Sequence, residues 1–335
     1  MRLFDFITRK YDASRRGAST RHLRDYLRNN PAPEDTFFII IMPGGLHLAK
    51  LALDFMPKHA RRVIILNGAD AWEADWARRH LAHDGICRIN AILDHWDVLD
   101  VLFDEVKANF GILDYDCYVF DSSCFERIAA IDDNTAIQAC FYRENPSLEL
   151  KVPETFFLFF NTKIINRLRK KYEINCSKYR WHTLPEKARA ALPKIGLGQD
   201  MLPETHKPYF DTLRGLMMLS LADGVPYRYI EQLPASPAPS DIAFHVGGVS
   251  DPRNTAGIWA LRGSYFWRRA LETQTSDELR THYYRRYGKL TAAELLNSTE
   301  GSDEKIDPEF LEFCETIIYW ETRSMATGDT AQLTS

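Results

Sequence analysis

The chain has 335 residues, 45% of them hydrophobic and 26% charged, which is the composition of a globular protein with a sizeable core, built as one large domain with additions or as two smaller ones. A formal net charge of −4 gives no global reason to expect a nucleic-acid partner, and no stretch approaches the roughly 20 apolar residues that span a bilayer. The opening residues, MRLFDFITRKYD, are charged throughout and lack the apolar segment of a secretion signal, and the six cysteines contain no CxxC pair, so buried free thiols and a cytoplasmic location are expected.

In chain order, RRGASTRHLRDYLR (15–28) is locally basic, and residues 1–35 read as a basic helical extension. TFFIIIM (36–42) is the first buried strand; Gly44 and Gly45 follow it in MPGGLHLAK, where they either let a ligand approach the backbone ahead of a helix or make an ordinary tight turn. LHLAKLALDFM (46–56), DAWEADWARRHLA (70–82) and WDVLDVLFDEVKANF (96–110) carry apolar residues at helical spacing, while RRVIIL (61–66) and CYVF (117–120) are further strands. Strands alternating with helices predict an α/β fold with a mostly parallel sheet covered on both faces. Neither GxGxxG nor GxxxxGK[ST] follows any strand, which argues against a dinucleotide dehydrogenase or a P-loop kinase.

The stretch LDYDCYVFDSSCF (113–125) ends its apolar run on Asp121, Ser122 and Ser123, so Asp121 either serves a metal or phosphate in the crevice at a strand end or caps the next turn. ETFFLFFNTKIINRLRKKY (154–172) reads as strand, Asn-Thr turn and helix. The basic run from 163 to 180 suits phosphates, a polyanionic acceptor or an anionic membrane surface, or is a solvated helix face. LPKIGLGQDMLPE (192–204) is irregular around Asp200, residues 209–224 form a helix, and EQLPASPAPSD (231–241) is a Pro-rich surface connection. FHVGGVS (244–250) places His245 at a strand end before two glycines, Gly247 and Gly248, whose amides suit a diphosphate. Imidazole with carboxylate suits Mn²⁺ or a similar ion. The remainder reads as helical through residue 325, with a frayed tail.

Four of these stretches, taken in order, resemble glycosyltransferases of the GT-A fold, especially the glycogenin and lipopolysaccharide galactosyltransferase kind. VFDSS stands where that family ends a central strand in Asp-x-Asp, FFNTK matches its Phe-Asn-x-Gly, GLGQD matches part of its Asp-Gln-Asp, and HVGG matches its His-x-x-Gly turn. The resemblance implies a catalytic domain over 36–270, with a nucleotide-binding half (36–125), an acceptor half (126–270) and a helical extension over 271–335. It implies a metal held by Asp121, Ser123 and His245, and a nucleotide along Asn161, Gly247, Gly248 and Arg253; Gly44 and Gly45 join the nucleotide-contact candidates on their turn alone. Asp200 is then on the acceptor side, taking the hydroxyl proton or orienting the sugar. Three departures stand out: Ser123 replaces the second aspartate, Lys163 replaces a glycine, and SDPRNT, with Arg253, replaces Lys-Pro-Trp.

The expectation is a hexosyltransferase that moves sugar from a nucleotide sugar, UDP-linked, with Mn²⁺ or Mg²⁺, to a glycan, lipid or protein acceptor in polysaccharide biosynthesis. No nucleic-acid partner is expected, and peripheral association with the inner face of a membrane stays open. A non-catalytic binding protein on a degenerate scaffold and a metal-assisted phosphoester hydrolase are the alternatives.

Overall fold

The structure is a computed structural model that describes residues 3–203, 207–235, 240–245 and 278–279, with side chains from residue 13 onward. A long helix, α1 (Leu3–Asn29), precedes β1 (Thr36–Ile41), α2 (Leu46–Phe55), β2 (Arg61–Asn67), α3 (Ala71–His80), β3 (Gly85–Ile89), α4 (His95–Glu105) and β4 (Phe110–Leu113). The chain then leaves the main sheet for β5 (Cys117–Val119) and α5 (Ser123–Ala129). It returns through β6 (Ile137–Asn145), β7 (Leu150–Pro153), β8 (Phe157–Phe160) and α6 (Thr162–Tyr172). The short α7 (Glu186–Ala191), α8 (Arg214–Ala222), β9 (Tyr227–Pro234) and β10 (Ala243–His245) complete the described α-helices and strands.

The main sheet has the order β3-β2-β1-β4-β8-β6-β7, with β9 also paired to β6. Strands β1 to β4 are parallel, whereas β8 runs antiparallel to both β4 and β6. The protein is thus α/β, with a mixed sheet flanked by helices, as the alternation of periods predicts. Because side chains alternate along a strand, β1 feeds both layers: Phe37, Ile39 and Ile41 join α2 and α3 on one face, and Phe38 joins α4 and α6 on the other.

The structure corrects three elements of the sequence reading. The sheet strand after α4 is the short β4, not CYVF; β5 pairs with β10 in a separate two-stranded ribbon. Helix α4 stops at Glu105, and residues read as its tail enter β4, where Gly111 is required because a Cβ there would lie 2.4 Å from the Phe37 ring. The Pro-rich connection begins later than expected, since β9 extends to Pro234.

Helix α1 is tied into the second layer. Leu23 and Leu27 are buried, Arg16 pairs with Asp94 and Asp97, and Arg24 and Arg28 pair with Glu105. Much of its basic character is therefore spent on the acidic face of α4. The five described cysteines are buried free thiols. Among the described residues no helix is long and apolar enough to cross a membrane.

Candidate active site

The four parallel strands β3, β2, β1 and β4 end at one edge of the sheet, the edge where open α/β sheets place a ligand crevice. At that edge β4 delivers the turn Asp114-Tyr115-Asp116. The Asp114 amide donates to the Phe156 carbonyl (2.8 Å), and the Cys117 amide donates back to the Asp114 carbonyl (2.9 Å), which closes the turn. The chain leaves as β5, and β10 pairs with it antiparallel in the register His245 to Cys117, returning the imidazole to the acidic turn.

The imidazole Nε2 of His245 lies 3.6 Å from Asp114 Oδ2 and 3.4 Å from Asp116 Oδ1, and the ligand atoms of all three residues fall within 4.8 Å of one another. The Asp116 side chain is 1% exposed and that of His245 10%. Burial opposes a charge on His245, but the carboxylates of Asp116 and Asp114 outweigh it and hold its pKa up at about 9. The Phe156 ring stacks on the imidazole with centroids 3.4 Å apart and planes 13° from parallel. Two ligand atoms each about 2.1 Å from one ion lie at most about 4.2 Å apart, so both imidazole-to-carboxylate spans suit a shared cation. Two carboxylate oxygens and one imidazole nitrogen suit Mn²⁺ or a similar divalent ion.

These residues open onto a cavity of about 600 Å³, the size of a small-molecule site. Met42, Leu93 and Trp96 give it an apolar stretch at the ends of β1 to β3. The Asn67 amide fixes that stretch by donating to the Leu93 carbonyl and accepting from the Leu93 amide, both at 2.8 Å. Elsewhere the lining includes Lys178, Asp211 and the ion pair of Glu154 with Arg214 (2.5 Å), whose guanidinium is almost fully buried. Burial opposes ionisation of Asp211, but Lys207, the Thr212 amide and Lys178 outweigh it and hold its pKa at about 2.

The residues expected from sequence separate into three groups. His245 is in the corner just described. Gly44 and Gly45 are beside it, but as packing elements: the Gly44 amide donates to the buried Glu73 carboxylate (2.8 Å), and a Cβ on Gly45 would lie 2.6 Å from the Tyr115 ring. The close approach their small size permits is made by protein.

The second group is placed elsewhere. Asp121 Oδ1 accepts from the Ser123 amide (3.0 Å) at the start of α5, its other oxygen lies 4.0 Å from Arg127, and the side chain is 40% exposed. Asp121 and Ser123 therefore belong to a local turn, and neither is in the group that His245 joins. Asn161 is the N-cap of α6, accepting from the Ile164 amide (3.2 Å). Because β8 is antiparallel to β4, with Phe160 opposite Phe110, Asn161 sits at the sheet end remote from Asp114. Asp200 is exposed on the turn between Gly198 and Met201 and does not line the cavity. The third group, Gly247, Gly248 and Arg253, lies outside the described residues, as does the helical extension over 271–335 apart from residues 278 and 279.

Sequence reasoning missed Asp114 and Asp116. Their signal is the Asp-x-Asp spacing directly after the apolar FGIL, seven residues before Asp121 in the same stretch.

Residues 13–165 match the StrH glycosyltransferase N-terminal domain, and over that span the chain is glycosyltransferase-like. The chain is 27% identical over 104 residues to the dTDP-dihydrostreptose–streptidine-6-phosphate dihydrostreptosyltransferase of Streptomyces griseus, a match covering 31% of this chain and about a quarter, 27%, of that relative. Similar solved structures include the mannosyltransferase PcManGT of Pyrobaculum calidifontis in complex with GDP-Man and Mn²⁺, at 13% identity and a TM-score of 0.36, covering 97% of this chain and 100% of that one. Residues 1–349 of S. aureus TarS match at 11% identity and a TM-score of 0.32, covering 85% of this chain and 80% of that one. The glycogenin and lipopolysaccharide galactosyltransferase kind is not what these matches name.

Proposed function

We propose that the protein is a glycosyltransferase of GT-A type that binds a nucleotide-diphosphate sugar in the cavity at the ends of β1 to β4 and passes the sugar to an acceptor hydroxyl. The observation that carries this reading is the acidic turn Asp114-Tyr115-Asp116 closed by His245 in the lining of that cavity. The match of residues 13–165 to a glycosyltransferase domain supports it independently. Asp114, Asp116 and His245 would hold Mn²⁺ or Mg²⁺, and the bound ion supplies positive charge where a departing nucleoside diphosphate accumulates negative charge.

The rest of the lining has assignable work. The apolar stretch of Met42, Leu93 and Trp96 takes the nucleoside, and the Asn67 clamp keeps that wall in place. Asp211, kept ionised by Lys207, the Thr212 amide and Lys178, would orient an acceptor hydroxyl by accepting its hydrogen bond. Lys178 lies beside Asp211 at 3.1 Å and adds a charged donor to the same wall. A UDP-linked hexose is the first donor to try. The first acceptor class is a small polyol like the streptidine 6-phosphate for which the Streptomyces griseus relative is named.

The test is calorimetric titration of the full chain with UDP, GDP and dTDP, each with and without Mn²⁺, on wild type and Asp116→Asn. The expected result is metal-dependent binding of one nucleotide, lost in the variant. Binding of none under either condition sinks the reading and favours the non-catalytic alternative.

A further inference from the structure

The metal corner is assembled from two distant parts of the chain, and the pairing that joins them is slight. β5 and β10 match only three residues each, and a two-stranded ribbon that short has little stability of its own. Something else must fix the imidazole relative to the acidic turn.

We propose that Phe156 is that positioning residue: its ring sets the plane of His245 while its carbonyl sets the turn of Asp114, so that one side chain and its backbone align both halves of the cation site. The proposal rests on the metal-dependent reading above. The stack, at 3.4 Å and 13°, sets the imidazole plane parallel to the ring, and the 2.8 Å bond from the Asp114 amide ties the turn to the same residue. Phe156 is itself firmly mounted. Two residues earlier, the Glu154 amide donates to the Phe141 carbonyl (2.9 Å). The Glu154 carboxylate accepts from Arg143 (2.6 Å) and from the buried Arg214 (2.5 Å), and Arg214 also donates to the Pro153 carbonyl. On the other side Phe157 enters β8, paired with β4 at Leu113, the residue before Asp114. The connection between β7 and β8 thus acts as a rigid support for ligands it does not itself supply. Groups that orient metal ligands in this way commonly change affinity about 10- to 100-fold when removed.

The experiment uses the full chain and two readouts. Mn²⁺ binding is followed by electron paramagnetic resonance on wild type, Phe156→Leu and Phe156→Tyr. In metal-free protein the ring signal of His245, identified by its loss in His245→Gln, is followed by NMR on labelled histidine. Phe156→Leu is expected to bind Mn²⁺ about tenfold more weakly and to move the His245 signal downfield as the ring current of the stack is lost, while Phe156→Tyr keeps both near wild type. If the leucine variant fails to fold, Phe156→Met, which refills the space without a ring, makes the same comparison. Mn²⁺ affinity in the ringless variant within about twofold of wild type overturns the proposal. Wild-type protein that binds no Mn²⁺ overturns the functional reading itself, an outcome separate from a wild type that binds and a variant that binds equally well.

Discussion

Two acidic turns, seven residues apart, follow short apolar strands in this protein and end in different states. The turn after β5 satisfies its aspartate locally: Asp121 bonds the Ser123 amide, lies 4.0 Å from Arg127 and faces solvent. The turn after β4 carries Asp114 and Asp116 into a cavity wall, where an imidazole from 129 residues further along the chain meets both. A carboxylate that its own turn can satisfy needs nothing else, whereas two carboxylates brought together beside a cavity need a cation or a proton. The difference lies in what surrounds the turn and not in its residue types.

The strongest way to break this contrast is Asp116→Asn. The change is nearly isosteric and removes a buried charge, so the fold should hold while Mn²⁺ affinity falls by about 100-fold or more. Retention of wild-type Mn²⁺ binding in a folded variant, measured by spin resonance, would remove Asp116 from the site.

A third acid lies between the two extremes. Asp211 lines the cavity like Asp116 but is held by local partners like Asp121. Its pKa in the folded chain is about 2, below the model-peptide value of about 3.9, so its contribution to stability is fully present above pH 4 and is lost as pH falls toward 2. The whole shift corresponds to about 2–3 kcal/mol, of which the part lost between pH 4 and pH 2 is about 2 kcal/mol. In urea titrations at a series of pH values, wild type should lose about that much of its advantage over Asp211→Asn between pH 4 and pH 2. A difference that does not change with pH would mean the lysines around Asp211 do not govern its ionisation.

Much of the fold is legible in the sequence, because β1, β2, α2, α3 and α6 each show a clean period bounded by turn residues or caps. The Asp70 capping box and the Asn161 cap are local signals of that kind. β4 is not legible in the same way. Four residues with a glycine among them, following a helix that ends without a breaker, carry too little periodicity to separate from the helix tail. Without β4 the expected strand end falls at Phe120 and not Leu113, and attention goes to Asp121 and Ser123 and not to Asp114 and Asp116, which meet His245. His245 was legible as a residue, but its partners were fixed by the antiparallel register of β5 and β10, which is a tertiary fact. Asn161 is legible as a turn residue ahead of a helix, whereas its place at the sheet end remote from Asp114 follows from the direction of β8.

The support beneath the β4 turn can be probed at Gly45. A methyl there meets the Tyr115 ring at 2.6 Å and the Met42 carbonyl at 3.1 Å, so Tyr115 must shift between its two aspartates. Gly45→Ala should cost about 1–2 kcal/mol in chemical denaturation and weaken Mn²⁺ binding a few-fold, the smaller relative of the Asp116 effect. Lost stability with unchanged Mn²⁺ affinity would show that Tyr115 moves without carrying the aspartates along.

The smallest expected effect is the most discriminating for the comparison. Asn at position 121 keeps an oxygen that can accept from the Ser123 amide, and the exposed pair with Arg127 is worth little, so Asp121→Asn should change stability by no more than about 0.5 kcal/mol. Asp121→Ala loses the turn bond as well and should cost about 1 kcal/mol, the ordinary net worth of one such hydrogen bond. Neither variant should alter Mn²⁺ affinity, because the carboxylate of Asp121 is spent within its own turn. If Asp121→Asn instead lost Mn²⁺ binding as completely as Asp116→Asn, the two turns would have to act on one ion. The β5 turn would then have to leave its bonds to Ser123 and Arg127 on metal binding, and the separation argued from the two surroundings would fail.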